Sequence, residues 1–143
     1  MIDLDYKIIR IRAAELKQRT TILLAEASPR QDVLQMIGNS LPNNEVPSDT
    51  PVVLLWIGKE LFTYDNIIAE RVTKEEFNFI IDVAITKQDE PIHANVVTVP
   101  VVQVLLGQLA SGSYQIIVTE KEVNKKHSSP VSTAVYKFSF LVK

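Results

Sequence analysis

The amino-acid sequence predicts an all-β fold: an antiparallel β-sandwich that carries one short helix and an N-terminal extension. Residues 77–85 alternate apolar and polar side chains, which is typical of a half-buried strand. Valine and isoleucine are abundant, whereas the chain has only four glycines, and this composition favours strands. Leu109, Gly112 and Tyr114 form the pattern L-x-x-G-x-Y between two strand-like segments. Because the glycine permits a turn and the tyrosine hydroxyl can bond to upstream backbone, this pattern predicts a corner between two sheets.

The first 27 residues contain one clear strand and one ambiguous segment. Residues 4–13 carry apolar side chains on both faces and are interpreted as a strand. Residues 14–27 fit a helix with a Glu15–Arg19 pair at i, i+4. They also fit a strand from residue 19 onwards, because TTIL is rich in β-forming residues. We favour the strand.

A short helix is predicted to begin at Ser28. This serine suits an N-cap, Pro29 suits the first helical position, and Gln31 completes the pattern S-x-x-Q. Gly38 or Asn39 can end the helix in the left-handed conformation. We expect the helix to cover one open end of the sandwich, and we favour this over a role in binding.

Residues 39–51 are rich in turn formers and are interpreted as a surface linker. The chain is then expected to be a single domain, in which residues 1–45 supply the N-terminal strands and helix and residues 46–143 form the sandwich core. Pro100 interrupts one core strand, which predicts a bulge or an edge that changes sheet. The predicted core strands are residues 52–57, 62–72, 77–85, 96–106, 114–121 and 135–142.

The later part of the chain resembles immunoglobulin-like and fibronectin-III-like domains at the level of the superfamily. LASGSYQIIV is similar to their E–F corner and F strand, and VYKFSFLVK is similar to their G strand. Trp56 in VVLLWIG resembles their core tryptophan. No cysteine flanks the corner, and Ser111 stands where fibronectin modules often have proline. The resemblance implies an immunoglobulin-like β-sandwich, and it implies no particular activity because such domains serve many unrelated functions.

The composition argues against several classes of function. A net charge of −2 gives no electrostatic attraction for nucleic acid. The chain has no cysteine, which excludes disulfides, thiolate metal sites and cysteine nucleophiles. No apolar run approaches the roughly 20 residues that span a bilayer. The start MIDLDYK lacks a signal-peptide pattern, so we expect a cytoplasmic protein if Met1 is native and a secreted one if a signal peptide was removed.

No motif for catalysis or cofactor binding is found, so we predict a protein that is not an enzyme and uses no cofactor or metal. The sequence lacks a Gly-rich phosphate loop, H-E-x-x-H and G-x-S-x-G. Trp56 and Tyr64 could belong to a sugar-binding platform. Because Trp56 lies in the most apolar run of the chain, we expect it in the core instead.

Two polar loops form a candidate binding end. Successive antiparallel strands alternate in direction, so the loop after residues 77–85 and the loop before residues 135–142 should emerge at the same end. Loops on a rigid scaffold often carry binding residues. The alternative is that these charges are only solvated. The candidate residues are Asp89, Glu90, His93, Lys125, Lys126 and His127.

These observations predict a non-catalytic β-sandwich module for protein interaction or structural assembly. The expected partner is another protein, or a second copy that associates through an edge strand. A small-ligand or carbohydrate-binding protein is the alternative, and a hydrolase with a dispersed site is the third hypothesis.

Overall fold

The computed structural model describes residues 1–88, 96–124 and 132–143, which consist mostly of β-strands in two separate sheets. The all-β prediction is confirmed. In the described part of the chain, no helix is long and apolar enough to cross a bilayer. The strands are β1 (Ile2–Asp3), β2 (Tyr6–Arg12), β3 (Thr21–Glu26), β4 (Glu45–Val46), β5 (Pro51–Ile57), β6 (Leu61–Phe62), β7 (Asn66–Glu75), β8 (Asn78–Lys87), β9 (Val97–Gln108), β10 (Gly112–Asn124) and β11 (Ser132–Val142). The α-helix is α1 (Val33–Gly38), and short 3-10 helices span Ala13–Glu15 and Pro42–Asn44.

Within the described residues, the larger sheet has six strands in the order β1-β7-β8-β10-β11-β4. Its hairpins β7–β8 and β10–β11 are antiparallel. The pairs β8–β10 and β11–β4 are parallel, which corrects the expectation of fully antiparallel sheets. For β8 and β10 the physical reason is that β9 lies in the other sheet. After β8 the chain crosses to the smaller sheet as β9 and then returns to the larger sheet as β10. Because it has reversed twice, β10 runs in the same direction as β8.

The smaller sheet has the order β2-β9-β5-β3, and β6 pairs with the start of β9. The strand that we favoured within residues 14–27 is present as β3, and Arg19 pairs with Glu60 at 2.9 Å rather than with Glu15. Because β2 and β3 pair with β9 and β5, the N-terminal strands are members of this sheet and not an extension outside it. Residues 39–51 are also more than a linker, since β4 pairs with the end of β11.

The main core lies between the two sheets. The alternating side chains of each strand place one set on this inner face. Trp56 is only 1% exposed, Phe79 and Ile116 are fully buried, and Phe138 packs against them with part of its surface exposed. Phe77, the first residue of the strand predicted at residues 77–85, is 54% exposed because β8 begins only at Asn78, after a turn at Glu76 with a positive φ.

The outer face of the smaller sheet is buried as well. Outward-facing Val53 and Leu55 of β5 form a second apolar cluster with Met36 and Ile37 of α1. This explains why the run VVLLWI is apolar on both faces. The helix therefore lies against the outer face of the smaller sheet and not over an end of the sandwich, as we had expected.

The start of α1 differs from the prediction. Its N-cap is Asp32 rather than Ser28. The Asp32 carboxylate accepts a hydrogen bond from the backbone N of Gln35 at 2.8 Å, and the Gln35 side chain accepts one from the backbone N of Asp32 at 2.9 Å. This capping box pairs two backbone donors at once. The helix ends at Gly38 with Asn39 as its C-cap, but the left-handed conformation expected there is absent from both residues, since Asn39 has φ = −108° and Gly38 has no positive φ.

Pro100 lies within β9 and causes neither a bulge nor a change of sheet. Gly58 N donates to Pro100 O at 2.9 Å. In a strand, the nitrogen and oxygen of one residue point to the same side, so the Pro100 nitrogen also faces Gly58, where β5 has already ended. Gly58 O accepts from Thr20 N at 3.3 Å, so the missing N–H of Pro100 leaves no unpaired acceptor at Gly58. The register shift between β5 and β9 lies at Val52 and Val53 instead.

The hydrogen bond expected at the tyrosine corner is present. Tyr114 is 4% exposed, and its hydroxyl donates to Ala110 O at 2.7 Å. Gly112 has φ = 153°, and a Cβ at this position would lie 3.4 Å from the Phe77 ring. Leu109 packs against the main core. The corner thus joins the end of β9 in one sheet to the start of β10 in the other.

Tyr114→Phe should lower the free energy of unfolding by about 1–3 kcal/mol, because the Ala110 carbonyl would lose its donor in a partly buried place. Urea unfolding measures the difference. The matched control is Tyr64→Phe, since Tyr64 stacks on Phe62 and its hydroxyl makes no hydrogen bond within the described residues. Equal effects of the two substitutions would show that the corner bond does not stabilise the fold.

Trp56→Ala should lower the free energy of unfolding by roughly 3–5 kcal/mol, as expected for a large side chain removed from a packed core. Phe62→Ala is the control, because Phe62 is 42% exposed and should cost much less. Chemical denaturation of both variants provides the measurement. A Trp56→Ala variant as stable as the parent would place this side chain outside the core.

Candidate functional site

The residues of the predicted binding end lie outside the part of the chain that the structure describes. Asp89, Glu90 and His93 fall within residues 89–95, and Lys125, Lys126 and His127 fall within residues 125–131. The strands that lead into the two segments are described. Lys87 at the end of β8 pairs with Asn124 at the end of β10. The chain therefore leaves both strands at the same end of the larger sheet, and the binding end itself stays a prediction.

The inward side of β10 ends in carboxyl groups at this same end. The inward row that begins with Tyr114 continues to Glu120 and Glu122, because alternate residues of a strand share a face. Glu120 is only 4% exposed. Lys59, which follows β5, places its Nζ 2.9 Å from Glu122 Oε2 and 3.5 Å from Glu120 Oε1. We call Lys59, Glu120 and Glu122 the inner polar cluster.

One carboxyl oxygen of the inner polar cluster lacks a hydrogen-bond donor in the described part of the chain. Glu120 Oε2 is buried and has no hydrogen-bond partner among the described residues. One ammonium group thus serves two carboxyl groups. A buried carboxyl oxygen of this kind can accept a hydrogen bond from an additional donor, and leaving it unpaired is unfavourable.

The cluster shifts the pKa of two side chains. Burial by itself lowers the pKa of Lys59, but the hydrogen bond with Glu122 and the charge of Glu120 outweigh burial and raise it above its ordinary value of 10.5. Burial raises the pKa of Tyr136 above its ordinary value of 10.0, and the charge of Glu120 adds to this effect while Lys59 opposes it. Lys59 is therefore protonated at neutral pH, and it acts as a fixed positive charge rather than as a base or nucleophile.

Asp65 stabilises another part of the same end. It is 2% exposed and accepts hydrogen bonds from Phe62 N at 2.9 Å, Gln88 N at 3.1 Å and Lys87 Nζ at 3.2 Å. Arg10 of β2 donates to the carbonyl oxygens of Asp65 and Phe62, both at 2.7 Å. Asp65 thus ties the segment after β6 to the end of β8. Its hydrogen bonds go to its own fold, which indicates a structural role.

A side cleft opens between the edges of the two sheets, where β3 faces β11. Its volume is about 360 Å³. The Trp56 and Tyr136 rings lie within it with centroids 4.6 Å apart. Tyr136 and Phe138 point toward the main core but stay partly exposed, because the smaller sheet ends at β3. Trp56 and Tyr64 do not form the sugar platform considered from the sequence, since Trp56 is buried and Tyr64 stacks on Phe62.

The sequence analysis did not identify the inner polar cluster. The sequence did contain one indication of it. Alternate residues of a strand share a face, so Glu120 and Glu122 are expected on the same inward face of β10 as Tyr114. No pattern within the sequence indicates that Lys59, which is distant along the chain, would meet them. The described residues contain no group of three or more His, Asp or Glu side chains placed to hold a metal ion.

Comparison with known proteins gives no relative for this chain: no protein-family model, no curated protein and no solved structure matches it. The resemblance of the corner to immunoglobulin-like domains stays a prediction.

The free energy of unfolding should fall as the pH rises above about 10, because folded Lys59 and Tyr136 hold their protons more tightly than the unfolded chain does. Below pH 10.0 both residues are protonated in both states, and their contribution is fully present. It is lost as the pH rises through the raised pKa values of the folded state. Lys59→Met and Tyr136→Phe should each reduce this fall relative to the parent. Urea unfolding between about pH 8 and about pH 11 measures it, and identical pH profiles of parent and variants would contradict the assignment.

Proposed function

We propose that this chain is a protein-interaction module that associates with a second copy of itself through the free edge of β11. The observation that carries the proposal is the one-sided pairing of this strand. On one side, β11 pairs with β10 from Ser132 to Val142. On the other side, β4 pairs with it only at Leu141 and Val142. We call residues 132–140 of this side the open edge, since no described strand pairs with it.

The N–H and C=O groups of successive residues in a strand point to opposite sides, and this alternation identifies the groups that face the open edge. Lys143 N donates to Val46 O of the β4 segment at 3.0 Å, so the odd-numbered residues of β11 face this side. Thr133, Val135 and Lys137 therefore present unpaired N–H and C=O groups in the described part of the chain. Such a row of groups is a template for the addition of another strand.

Two other edge regions, at β7 and at β3, carry features that discourage strand addition. β7 has a register shift between Ala69 and Arg71, and β1 covers its end. A bulge of this kind disrupts the ladder that an added strand would need. At β3, Leu41 N donates to Leu24 O and occupies part of that edge. β11 pairs with β10 without any register shift and contains no proline.

The side chains of β11 are compatible with pairing between two copies. An antiparallel pair centred on Val135 places this residue, which is 54% exposed, opposite its own copy. The same register places Thr133 opposite Lys137 and Ala134 opposite Tyr136. Like charges placed directly opposite each other would destabilise the pair, and this register places none opposite each other between residues 133 and 137. Pairing about a two-fold axis uses the same surface on both copies and closes the assembly as a dimer.

Lys137→Pro should weaken the dimer about thirtyfold, because a symmetric pair would lose two hydrogen bonds that are each worth about 1 kcal/mol. Lys137→Ala is the matched control, since it removes the charged side chain and keeps the edge-facing N–H; it should dimerise at least as well as the parent. Sedimentation equilibrium over a range of protein concentrations measures both.

The proposal is wrong if the parent is monomeric at every concentration tested, or if Lys137→Pro and Lys137→Ala dimerise equally. Far-UV circular dichroism and urea unfolding show whether Lys137→Pro remains folded. It should, because the N–H of Lys137 faces away from β10 and takes no part in that ladder.

A further inference from the structure

A cavity lies on the outer face of the smaller sheet, between α1 and the strands β2 and β9. We call it the outer groove. Its volume is about 570 Å³. Small-molecule sites range from roughly 300 to 1,000 Å³, so the outer groove has a suitable size. Its apolar walls include Ile9, Val33, Met36, Val53 and Leu105.

Gln103 is a buried polar side chain that lines the outer groove. It is 8% exposed, and its Oε1 has no hydrogen-bond partner among the described residues. The register of the sheet places Gln103 on β9 between Lys7 of β2 and Leu55 of β5. Native proteins rarely leave a buried amide oxygen without a donor, so this atom calls for an explanation.

Packing alone does not require an amide at this position. Val99 and Val101 precede Gln103 on the same face of β9, and both belong to the apolar cluster that includes Leu55. A leucine at position 103 would have a similar volume and no polar atom to desolvate. The amide becomes favourable when a hydrogen-bond donor enters the outer groove, since the buried oxygen is then paired.

We propose that the outer groove binds a small neutral molecule with an apolar body and a terminal hydrogen-bond donor, such as an alkyl amide or an alcohol. The N–H or O–H of the molecule donates to Gln103 Oε1. The apolar body packs against Val33, Met36 and Leu105. The outer groove faces away from the main core and is separate from the open edge of β11, so its occupation does not depend on self-association.

Hexanamide and methyl hexanoate are suitable probes, because both have a short alkyl chain and a carbonyl group but only the amide has an N–H donor. Titration of the ¹⁵N-labelled protein, followed by amide chemical shifts, should show saturable changes for residues of β2, β9 and α1. Hexanamide should bind about tenfold more tightly than the ester, because a site that pairs a buried polar group discriminates against an analogue without the partner.

Gln103→Leu should lower the affinity for hexanamide to that of the ester and leave ester binding unchanged or slightly stronger. The matched control is Gln115→Leu on β10, which lies outside the outer groove and should alter neither affinity. Leu105→Trp provides a second variant. Leu105 is 48% exposed, so a larger ring can be accommodated there and should obstruct the binding of both probes.

The proposal is overturned if hexanamide shifts no resonance of the outer groove up to its solubility limit. It is equally overturned if amide and ester bind the parent with the same affinity, or if Gln103→Leu and Gln115→Leu bind hexanamide equally well. Urea unfolding of Gln103→Leu confirms that the variant is folded. Its stability should match or exceed that of the parent, because the substitution removes a buried unpaired oxygen.

Discussion

The smaller sheet must bury both of its faces, and the rest of the structure depends on this requirement. Trp56 and Leu54 of β5 point to the main core, whereas Val53 and Leu55 point to the outer cluster. Exposing either face would leave a large apolar area in water. The larger sheet covers one face and α1 covers the other. Because α1 has only six residues, it covers only part of the outer face, and the outer groove is the space beside it.

The path of the chain places different kinds of stabilising interaction at the two ends of the molecule. At one end the Tyr114 corner closes the crossing from β9 to β10, and the Tyr114 ring stacks with Phe140 at 5.4 Å. At the other end the parallel pairing of β8 with β10 brings Lys87 next to Asn124. The inner polar cluster and Asp65 lie at this second end. One end is thus fixed by aromatic packing and by the hydrogen bond from the Tyr114 hydroxyl to a backbone carbonyl, and the other is fixed by charged groups.

The two proposed binding surfaces, the open edge and the outer groove, arise from different features of the two sheets. The open edge of β11 exists because β4 is only two residues long and pairs with β11 only at Leu141 and Val142. The outer groove exists because a short helix covers a longer sheet. They use different chemistry, since an edge offers backbone hydrogen bonds to an extended strand whereas the groove offers apolar walls together with polar side chains that include Gln103. A partner strand at β11 therefore leaves the outer groove accessible.

The sequence by itself determined those features that depend on residues close together along the chain. Strand alternation and the bond from Tyr114 to Ala110, four residues upstream, are of this kind. The tertiary structure decided the start of α1, because Ser28 and Asp32 are both competent caps and the packing of Met36 and Ile37 on β5 accompanies the later start. It alone decided that β8 and β10 pair in parallel, that Lys59 meets Glu120, and that Gln103 Oε1 is buried with no donor among the described residues. These features depend on which distant strands become neighbours, and no local pattern specifies that choice.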